Sequence, residues 1–491
     1  MVRARGLLLV LSALVLVAIA HLGLVGLRSK RAQHTVRFAR GGATVAKPEP
    51  IHRGAHSPHE PAGCGALSTR QLRVAGAASP LGLNVAVLTF VNAVQVDFAL
   101  NWLLLLRRTS LGGAALVGAT DAEAEVGLTH SGACFSLRSS IGSTEARWGS
   151  PGFAQMGRTK AELTLTVLAA NVSILFVDAD VAVLGDPAPF LSQARRLGAD
   201  ILFHTDGFGT SATALNESTL ESPSFGWGPE LNTGFFFMSP VARQLAEAWA
   251  AALADDRAFS NWRNDQQALN ELVRRGVRIT KTMSSNLIDA YDGKLQLGLL
   301  PCHLFPSGHV FFIQRQNRAL GVAPLAVHLT FQNCDQAGKR HRMREARIWQ
   351  VDPPERFDPP GGLISYSPDL PPQLTPLFNA STLPRRNMVA SDAIVAAHFE
   401  LMNHQLLQLR TALTLALVLN RTLVLPRFLC GLETVTNFAH SGIRCRGSAG
   451  CAMALPYWYA EQHYSRDGIS RGLLFHGSLA IALCNSLRFA I

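Results

Sequence analysis

The sequence predicts an α/β fold with a doubly wound sheet, and three features of its 491 residues indicate this. Short, continuous apolar runs of strand length alternate with longer segments of helical length. Hydrophobic residues make up 48% of the chain and charged residues 16%, a balance that excludes general disorder. Polar residues follow several of the apolar runs directly, at the strand ends where such a sheet binds its ligands.

The alternation begins at residue 84, after a stretch without apolar periodicity. The apolar runs are rich in Val, Leu, Ile and Phe, which suits strands that are buried on both faces of a sheet. We predict strands at 84–92, 114–118, 172–177, 199–204 and 233–238, and helices at 97–108, 160–170, 241–254 and 265–275.

A Pro-rich linker at 351–384 separates this region from a last segment, 385–491. In that segment we predict a strand at 394–399, a helix at 403–419 and a strand at 421–425. The three elements form one βαβ unit, which indicates a smaller C-terminal accessory α/β domain.

The N-terminal region predicts a membrane anchor followed by a stem. Residues 6–27 are an uncharged, mostly apolar run long enough to cross a bilayer, so 1–27 is predicted to be a cytoplasmic tail and transmembrane helix. A cleaved signal peptide is the alternative, because Ala18-Ile-Ala20 fits a cleavage site. Residues 28–80, rich in Gly, Ala, Pro, His and Arg, predict a flexible stem.

The positive charge of the chain is concentrated at its N-terminus. The first 60 residues contain nine basic and two acidic residues, so they hold +7 of the net charge of +11. The charge therefore flanks the apolar run and does not coat the folded part, and we expect no nucleic-acid binding. The eight cysteines lack zinc-type spacing, and a secretory lumen would allow them to form disulfides.

Asp178-Ala-Asp180 stands directly after the strand predicted at 172–177. Two carboxylates two residues apart at a strand end can converge on one hard cation. Mg²⁺ or Mn²⁺ takes oxygen ligands and also bridges phosphate oxygens, so the pair suits a ligand that carries a diphosphate. The alternative is a polar turn that closes the strand.

An amide and a carboxylate stand at two other element ends. Asn232, in Asn232-Thr-Gly234, lies where a strand begins, and Asp265 opens a helix. Such groups can hold ligand hydroxyls and stabilise a positive centre while a bond breaks. For Asp265 the alternative is a helix N-cap.

Further candidates suit a metal or a diphosphate. His328 ends an apolar run and can complete a metal shell, with a structural histidine as the alternative. Asp97 lies near the end of the first strand, where it can form a pocket wall or cap its helix. Basic side chains that can pair with a diphosphate, with solvated surface charge as the alternative, are Arg158, Lys160, Lys339 and Arg340.

The order and spacing of these motifs resemble the plant extensin (hydroxyproline) arabinosyltransferases of glycosyltransferase family 77. The resemblance runs from about residue 84 to residue 451. Asp178-Ala-Asp180 stands where relatives often carry Asp-Thr-Asp, a departure that keeps both carboxylates. The matching stretches include Thr89-Phe-Val-Asn92, Trp148-Gly-Ser-Pro151, Met156-Gly-Arg158, Asn232-Thr-Gly234, Val327-His328 and Gly338-Lys-Arg-His-Arg342.

This resemblance implies a GT-A type nucleotide-diphospho-sugar transferase domain at 81–350, with a mixed, mostly parallel sheet. It implies a UDP-sugar donor, Mn²⁺ (or Mg²⁺) held by Asp178 and Asp180 with His328 as a third ligand, and transfer with retention of configuration. Asp265 and Asn232 become the catalytic candidates. The residues expected around the nucleotide sugar are Thr89, Asp97, Arg158, Lys160, Asp178, Lys339 and Arg340.

The resemblance also implies a single-pass type II Golgi membrane protein with a lumenal catalytic domain. Its acceptor would be a hydroxyproline-rich wall glycoprotein, and the sugar arabinofuranose. One alternative is a xylosyl- or galactosyltransferase that acts on another wall polymer. Another is a catalytically inactive Golgi scaffold or glycan-binding homologue, which the intact Asp178 and Asp180 pair disfavours.

Overall fold

A computed structural model describes residues 64–137, 141–146, 150–211, 220–254, 264–277, 286–332, 335–369, 371–373 and 392–426. The predicted anchor, the first part of the predicted stem and the chain after residue 426 lie outside these ranges. Within them, no helix combines the length and the apolar character needed to cross a membrane.

An eight-stranded mixed sheet forms the centre of the described fold. Its strands are β1 (Val85–Val91), β2 (Ala115–Ala119), β3 (Cys134–Ser136), β4 (Ser173–Val177), β6 (Ile201–Thr205), β7 (Leu231–Met238), β8 (Leu287–Ala290) and β9 (Leu295–Leu299). Their spatial order is β3-β2-β1-β4-β7-β6-β9-β8. Six of these strands run parallel to one another, and β7 and β8 run antiparallel to them.

Two small sheets accompany the large one. β5 (Val181–Val183) pairs antiparallel with β10 (Ala326–His328), and β11 (Leu363–Ser365) pairs parallel with β12 (Thr422–Val424). The α-helices are α1 (Thr69–Ala78), α2 (Val96–Leu106), α3 (Ala122–Leu128), α4 (Pro151–Ala169), α5 (Ala188–Arg196), α6 (Pro223–Gly226), α7 (Arg243–Ala254), α8 (Asp265–Val273), α9 (Gln316–Ala319), α10 (Asp335–Glu345) and α11 (Asp392–Val418).

The large sheet is buried on both faces, as the continuous apolar runs predict. Because successive side chains point to opposite faces, Val85 and Val87 join one core with α2, while Ala86 and Leu88 join another with α4, α7 and α8. In this second core, stacked aromatic rings connect neighbouring strands, with Phe176 and Phe203 each 5.4 Å from Phe236. The doubly wound prediction is therefore confirmed.

The predicted elements of the central region agree with the structure to within a few residues at most ends. The largest difference is the helix predicted at 160–170, which begins at Pro151. Ser150 caps this helix by accepting a hydrogen bond from the backbone N–H of Phe153, and proline at the first helical position needs no backbone donor.

The end of the predicted stem is folded, so the boundary at residue 80 is wrong. Helix α1 begins with a capping box between Ser68 and Gln71, and it buries Leu72. A disulfide joins Cys64 to Cys134 at the start of β3. Residues 64–80 thus belong to the folded domain, because local capping and a covalent bond hold a segment that has little apolar periodicity.

The strand predicted at 394–399 is also wrong, because these residues lie in α11. A continuous apolar run does not by itself distinguish a strand from a helix, and Ala, Leu, Met and Glu around it favour the helix. The partner of β12 is instead β11, which lies within the predicted linker. The separate accessory domain at 385–491 stays a prediction.

The disulfide generates the first testable prediction. Cys64 and Cys134 are 70 positions apart, and the chain-entropy model gives a loop of that size about 4 kcal/mol of stability. We expect Cys64→Ser/Cys134→Ser to lower the melting temperature by several degrees, measured by thermal unfolding. Non-reducing peptide mass spectrometry should find the Cys64–Cys134 link in the wild type and in a Cys302→Ala control. In the wild type, Cys302 is a buried free cysteine whose thiol donates to the Gly207 carbonyl. Two free thiols at 64 and 134 would contradict the prediction.

Candidate active site

The candidate site lies at the sheet edge where β4 ends and β7 begins. Asp178 follows β4 directly, and its backbone N–H donates to the Gly234 carbonyl at 2.7 Å. Because β7 runs antiparallel to β4, its first residues stand beside the last residues of β4. The chain then passes Asp180 into β5, whose partner β10 ends at His328. Three strands that are distant in sequence therefore bring their polar ends together.

Asp178, Asp180 and His328 lie close enough to share one cation, as predicted. Their ligand atoms are all within 4.8 Å of one another, and His328 Nε2 is 3.5 Å from Asp180 Oδ1 and 3.8 Å from Asp178 Oδ2. A Cβ on Gly234 would stand 2.6 Å from Asp178 Oδ2 and 2.7 Å from His328 Nε2, so glycine keeps the space between these ligands open. Two carboxylates and an imidazole form a donor set that suits Mn²⁺.

A second histidine supports His328. The rings of His204 and His328 meet edge to face, with centroids 5.7 Å apart. Burial, together with the neighbouring His328, lowers the pKa of His204 to about 3. His204 is therefore neutral at neutral pH and adds no positive charge next to the cation site.

Lys160 is a buried cation beside the site. Its side chain is only 9% exposed, and Nζ lies 2.9 Å from Asp178 Oδ1 and 3.8 Å from Asp265 Oδ2. The same ammonium donates to the Thr233 carbonyl at 3.1 Å. Burial would lower the pKa of Lys160, but the charges of Asp178 and Asp265 outweigh it and the pKa is raised. The charged ammonium thus orients both carboxylates, and the surface-charge alternative is wrong for Lys160.

Helix α10 contributes the two other basic residues that the sequence indicates. Lys339 Nζ lies 2.6 Å from Asp180 Oδ2, and the next residue, Arg340, makes a bidentate contact with Asp97 at 2.6 and 2.8 Å. Burial would raise the pKa of Asp180, yet Lys339 and His328 hold it well below its usual range. Asp97, the predicted pocket-wall carboxylate, is thus paired with Arg340, while Lys339 is paired with the cation-site carboxylate Asp180.

Asp206 is a site residue that the sequence interpretation missed. It follows β6, just as Asp178 follows β4, and that shared position after an apolar strand is the signal that could have found it. Asn232 Nδ2 donates to Asp206 Oδ1 at 2.8 Å, and Gln266 Nε2 donates to Asp206 Oδ2 at 2.9 Å. Burial raises the pKa of Asp206, although the hydrogen bonds from Asn232 and Gln266 oppose that shift.

Asp265 is buried and occupied by structural contacts. It accepts a hydrogen bond from Thr233 Oγ1 at 2.8 Å, and its carbonyl accepts one from Trp249 Nε1 at 2.9 Å. The N-cap alternative is wrong for this residue, because the side chain of Asn264 caps α8 by accepting from the backbone N–H of Gln267. A catalytic role for Asp265 stays a prediction.

Two predicted nucleotide contacts are placed where the structure does not favour that role. Arg158 donates from Nε and Nη2 to the carbonyls of Leu253 and Ala254, both at 2.9 Å, so it caps the C-terminal end of α7. Thr89 is fully buried in the middle of β1. Position along the chain does not show whether a side chain faces the ligand edge, the interior or a neighbouring helix end.

Part of the folded region is similar in sequence to a known family of transferase domains. Residues 114–343 match the model of the family described as nucleotide-diphospho-sugar transferase. The mixed, mostly parallel sheet and the acidic pair after a central strand agree with the GT-A type of fold expected for it. The folded domain is therefore similar to nucleotide-diphospho-sugar transferases over this range.

The most informative relative is a plant enzyme. The chain is 36% identical over 366 residues to arabinosyltransferase XEG113 of Arabidopsis thaliana, an alignment that covers 73% of this chain and 52% of that protein. The chain thus spans about half the length of the curated relative it matches. The similarity confirms the resemblance to plant arabinosyltransferases.

Solved glycosyltransferases resemble the chain more distantly. One, involved in glycosylation of the major capsid of PBCV-1, is 11% identical, with 54% of this chain and 98% of that chain covered and a TM-score of 0.31. The galactosyltransferase LgtC, in complex with donor and acceptor sugar analogues, is 11% identical, with 56% and 99% covered and a TM-score of 0.32.

Gly234 generates the second testable prediction. Gly234→Ala would push a methyl group between Asp178 and His328, so we expect Mn²⁺ to lose its stabilising effect on the protein in the presence of UDP. Thermal shift with and without Mn²⁺ measures this. Gly65→Ala is the matched control, because a Cβ at Gly65 meets nothing within 4 Å. An unchanged Mn²⁺ response in Gly234→Ala would show that the metal binds elsewhere.

Lys160 generates the third testable prediction. Lys160→Met leaves buried Asp265 and nearby Asp178 without their counterion, and breaking such a pair typically costs about 3–5 kcal/mol. We expect chemical denaturation to show a loss of this size in the free energy of unfolding. Lys294→Met, at an exposed lysine over the Tyr291 ring, should change it little. Adding Asp265→Asn to Lys160→Met should recover part of the lost free energy of unfolding. If Lys160→Met alone caused no loss, the role of Lys160 as a buried counterion would be contradicted.

Proposed function

We propose that the chain is a metal-dependent arabinosyltransferase that transfers arabinofuranose from UDP-arabinofuranose, with retention, to hydroxyproline-linked glycans of wall glycoproteins. The choice of sugar is supported by the similarity to arabinosyltransferase XEG113. The observation that carries the mechanism is the convergence of Asp178, Asp180 and His328 around the space that Gly234 leaves open. Mn²⁺ is the proposed ion, with Mg²⁺ as an alternative.

The metal-binding residues fit the proposed ion. Asp178 directs Oδ2 toward His328 while Lys160 holds its Oδ1, so one oxygen remains for a cation. The Gly234 position keeps that space free of side-chain atoms. A divalent ion bound there would offset the negative charge of the departing UDP.

The two lysines have different roles in this proposal. Lys160 is enclosed, so it orients Asp178 and does not reach the donor. Lys339 is 28% exposed on α10, and its ammonium can turn from Asp180 to a phosphate oxygen of the donor. Arg340, the next residue of the same helix, is held by Asp97. Positive groups placed where charge develops stabilise the departure of a diphosphate.

The proposed route to retention needs no protein nucleophile. Asp265 would be the candidate, but its carboxylate is engaged by Thr233 and Lys160. We therefore favour attack of the acceptor hydroxyl on the face from which UDP leaves, with the leaving phosphate oxygen accepting the hydroxyl proton. Asn232, whose amide is fixed at the start of β7, is the residue proposed to stabilise the positive sugar centre.

The proposed compartment is the Golgi lumen, with the apolar run at 6–27 as a type II anchor. The Cys64–Cys134 disulfide supports an oxidising compartment for the folded domain. Asn216-Glu-Ser, Asn379-Ala-Ser and Asn420-Arg-Thr match the N-glycosylation acceptor pattern of proteins in the secretory pathway, and Asn420 is exposed after α11. Asn216 and Asn379 lie outside the described residues.

The fourth testable prediction addresses the reaction. With the full-length protein, UDP-arabinofuranose should be turned over faster than UDP-xylose or UDP-galactose, and only when Mn²⁺ is present. Asp180→Ala should lower turnover by about a hundredfold or more, as for other lost electrostatic stabilisers. Its melting temperature without metal should change little, because Lys339 can extend into solvent. Asp178→Ala is a poorer probe, because it would leave buried Lys160 less compensated.

Asp358→Ala, at an exposed aspartate after α10, is the control and should retain full turnover. Metal-independent turnover, or an Asp180→Ala variant as active as the wild type, would contradict the proposed mechanism. Preference for another UDP-sugar would contradict only the choice of arabinofuranose.

A further inference from the structure

We propose that Asp206 is a positioning residue that supports turnover of the donor. It does so by fixing the amide orientations of Asn232 and Gln266 beside the metal-binding residues. The inference rests on the proposed function, because it concerns the same site. Asp206 is half-buried at the end of β6, and its two carboxylate oxygens each accept one amide N–H, from Asn232 and from Gln266.

Both amides are locked in one orientation by second hydrogen bonds. Asn232 Oδ1 accepts the backbone N–H of Gly234 at 2.8 Å, so a flipped amide would place an NH₂ group against that N–H. Gln266 Nε2 also donates to Glu230 Oε2 at 2.9 Å, so a flipped amide would place its oxygen against a carboxylate. Each amide must therefore present N–H to residue 206.

A carboxylate is the side chain that satisfies this requirement at position 206. It has two acceptor oxygens and no donor when ionised, whereas an asparagine of the same shape has one acceptor and one NH₂ group. In Asp206→Asn, one of the two neighbouring amides would thus face a second donor. Either Asn232 or Gln266 would have to leave its present orientation.

The network connects directly to the metal-binding residues. The N–H that fixes Asn232 belongs to Gly234. This glycine has no side chain to fill the space between Asp178 and His328. After these bonds, Asn232 retains one amide hydrogen and Gln266 its carbonyl oxygen, both in fixed directions. These two groups can align a part of the ligand with the metal-bound diphosphate. Such alignment would stabilise the transition state more than it would strengthen binding of the ligand.

The experiment, which is the fifth testable prediction, separates alignment from nucleotide binding. In Asp206→Asn we expect kcat for UDP-arabinofuranose hydrolysis with Mn²⁺ to fall at least tenfold. The Kd for UDP with Mn²⁺, measured by calorimetry, should stay within about twofold of the wild type, because UDP lacks the sugar. Asp289→Asn is the matched control: Asp289 also accepts a glutamine amide, from Gln296 at 2.6 Å, but on the far strand β8. Asp289→Asn should keep the wild-type kcat and the wild-type Kd for UDP.

A double variant tests the hydrogen-bond pattern independently of activity. In Asp206→Asn/Asn232→Asp, the new Asn can donate to the new Asp and still accept from Gln266, so every partner is again satisfied. We expect it to recover most of the melting temperature that Asp206→Asn loses.

The possible failures are distinguishable. Unchanged kcat in Asp206→Asn with an active wild type would overturn the positioning role alone. An equal loss of UDP affinity in that variant would also overturn it, because Asp206 would then be a general structural support. No recovery in the double variant would overturn the hydrogen-bond pattern. A wild type inactive on every UDP-sugar would overturn the proposed function and this role with it.

Discussion

The antiparallel pairing of β7 with β4 and β6 is the constraint on which the site depends. In a purely parallel sheet, the ligand edge is formed by strand C-termini alone. Here the reversed strand contributes its N-terminal residues to that same edge. Asn232 and Gly234 consequently stand between Asp178 at the end of β4 and Asp206 at the end of β6. The close approach of Gly234 to Asp178 and His328 then requires the absence of a side chain.

Charge balance is the second condition that the site must meet. Asp178, Asp180 and Asp265 bring three carboxylates into a small volume, and Lys160 and Lys339 compensate them from two different helices. The two lysines differ in exposure, and this difference separates their roles. A buried ammonium is costly to leave unpaired, so Lys160 stays with its acids. Lys339 is more exposed, and in the proposed function it exchanges a carboxylate for a phosphate.

In the proposed function, the amide network supports the chemistry beyond the candidate metal-binding residues. Asp206, Asn232 and Gln266 come from the end of β6, the start of β7 and the start of α8. Their hydrogen bonds leave each amide one allowed orientation. A site with directed polar groups on rigid elements can align a reacting group without loop movement, in line with the electrostatic preorganisation that enzymes use.

The local pattern of the sequence was sufficient for most of the central fold, because strands buried on both faces must be continuously apolar and their lengths distinguish them from the helices. It was also sufficient for Asp178 and Asp180, which adjoin an unambiguous strand, and the resemblance to known enzymes favoured the metal-ligand interpretation of His328 over the structural one. It failed at 394–399, where an apolar run is compatible with either element, and at 64–80, where a distant cysteine stabilises the segment. Only the tertiary structure decided the remaining features. These are the direction of β7, the burial of Lys160 and Thr89, the use of Arg158 as a helix cap and the partners of Asp206. Each of these depends on which side chains from remote segments meet, and contacts between remote segments are not encoded in the local spacing of residues.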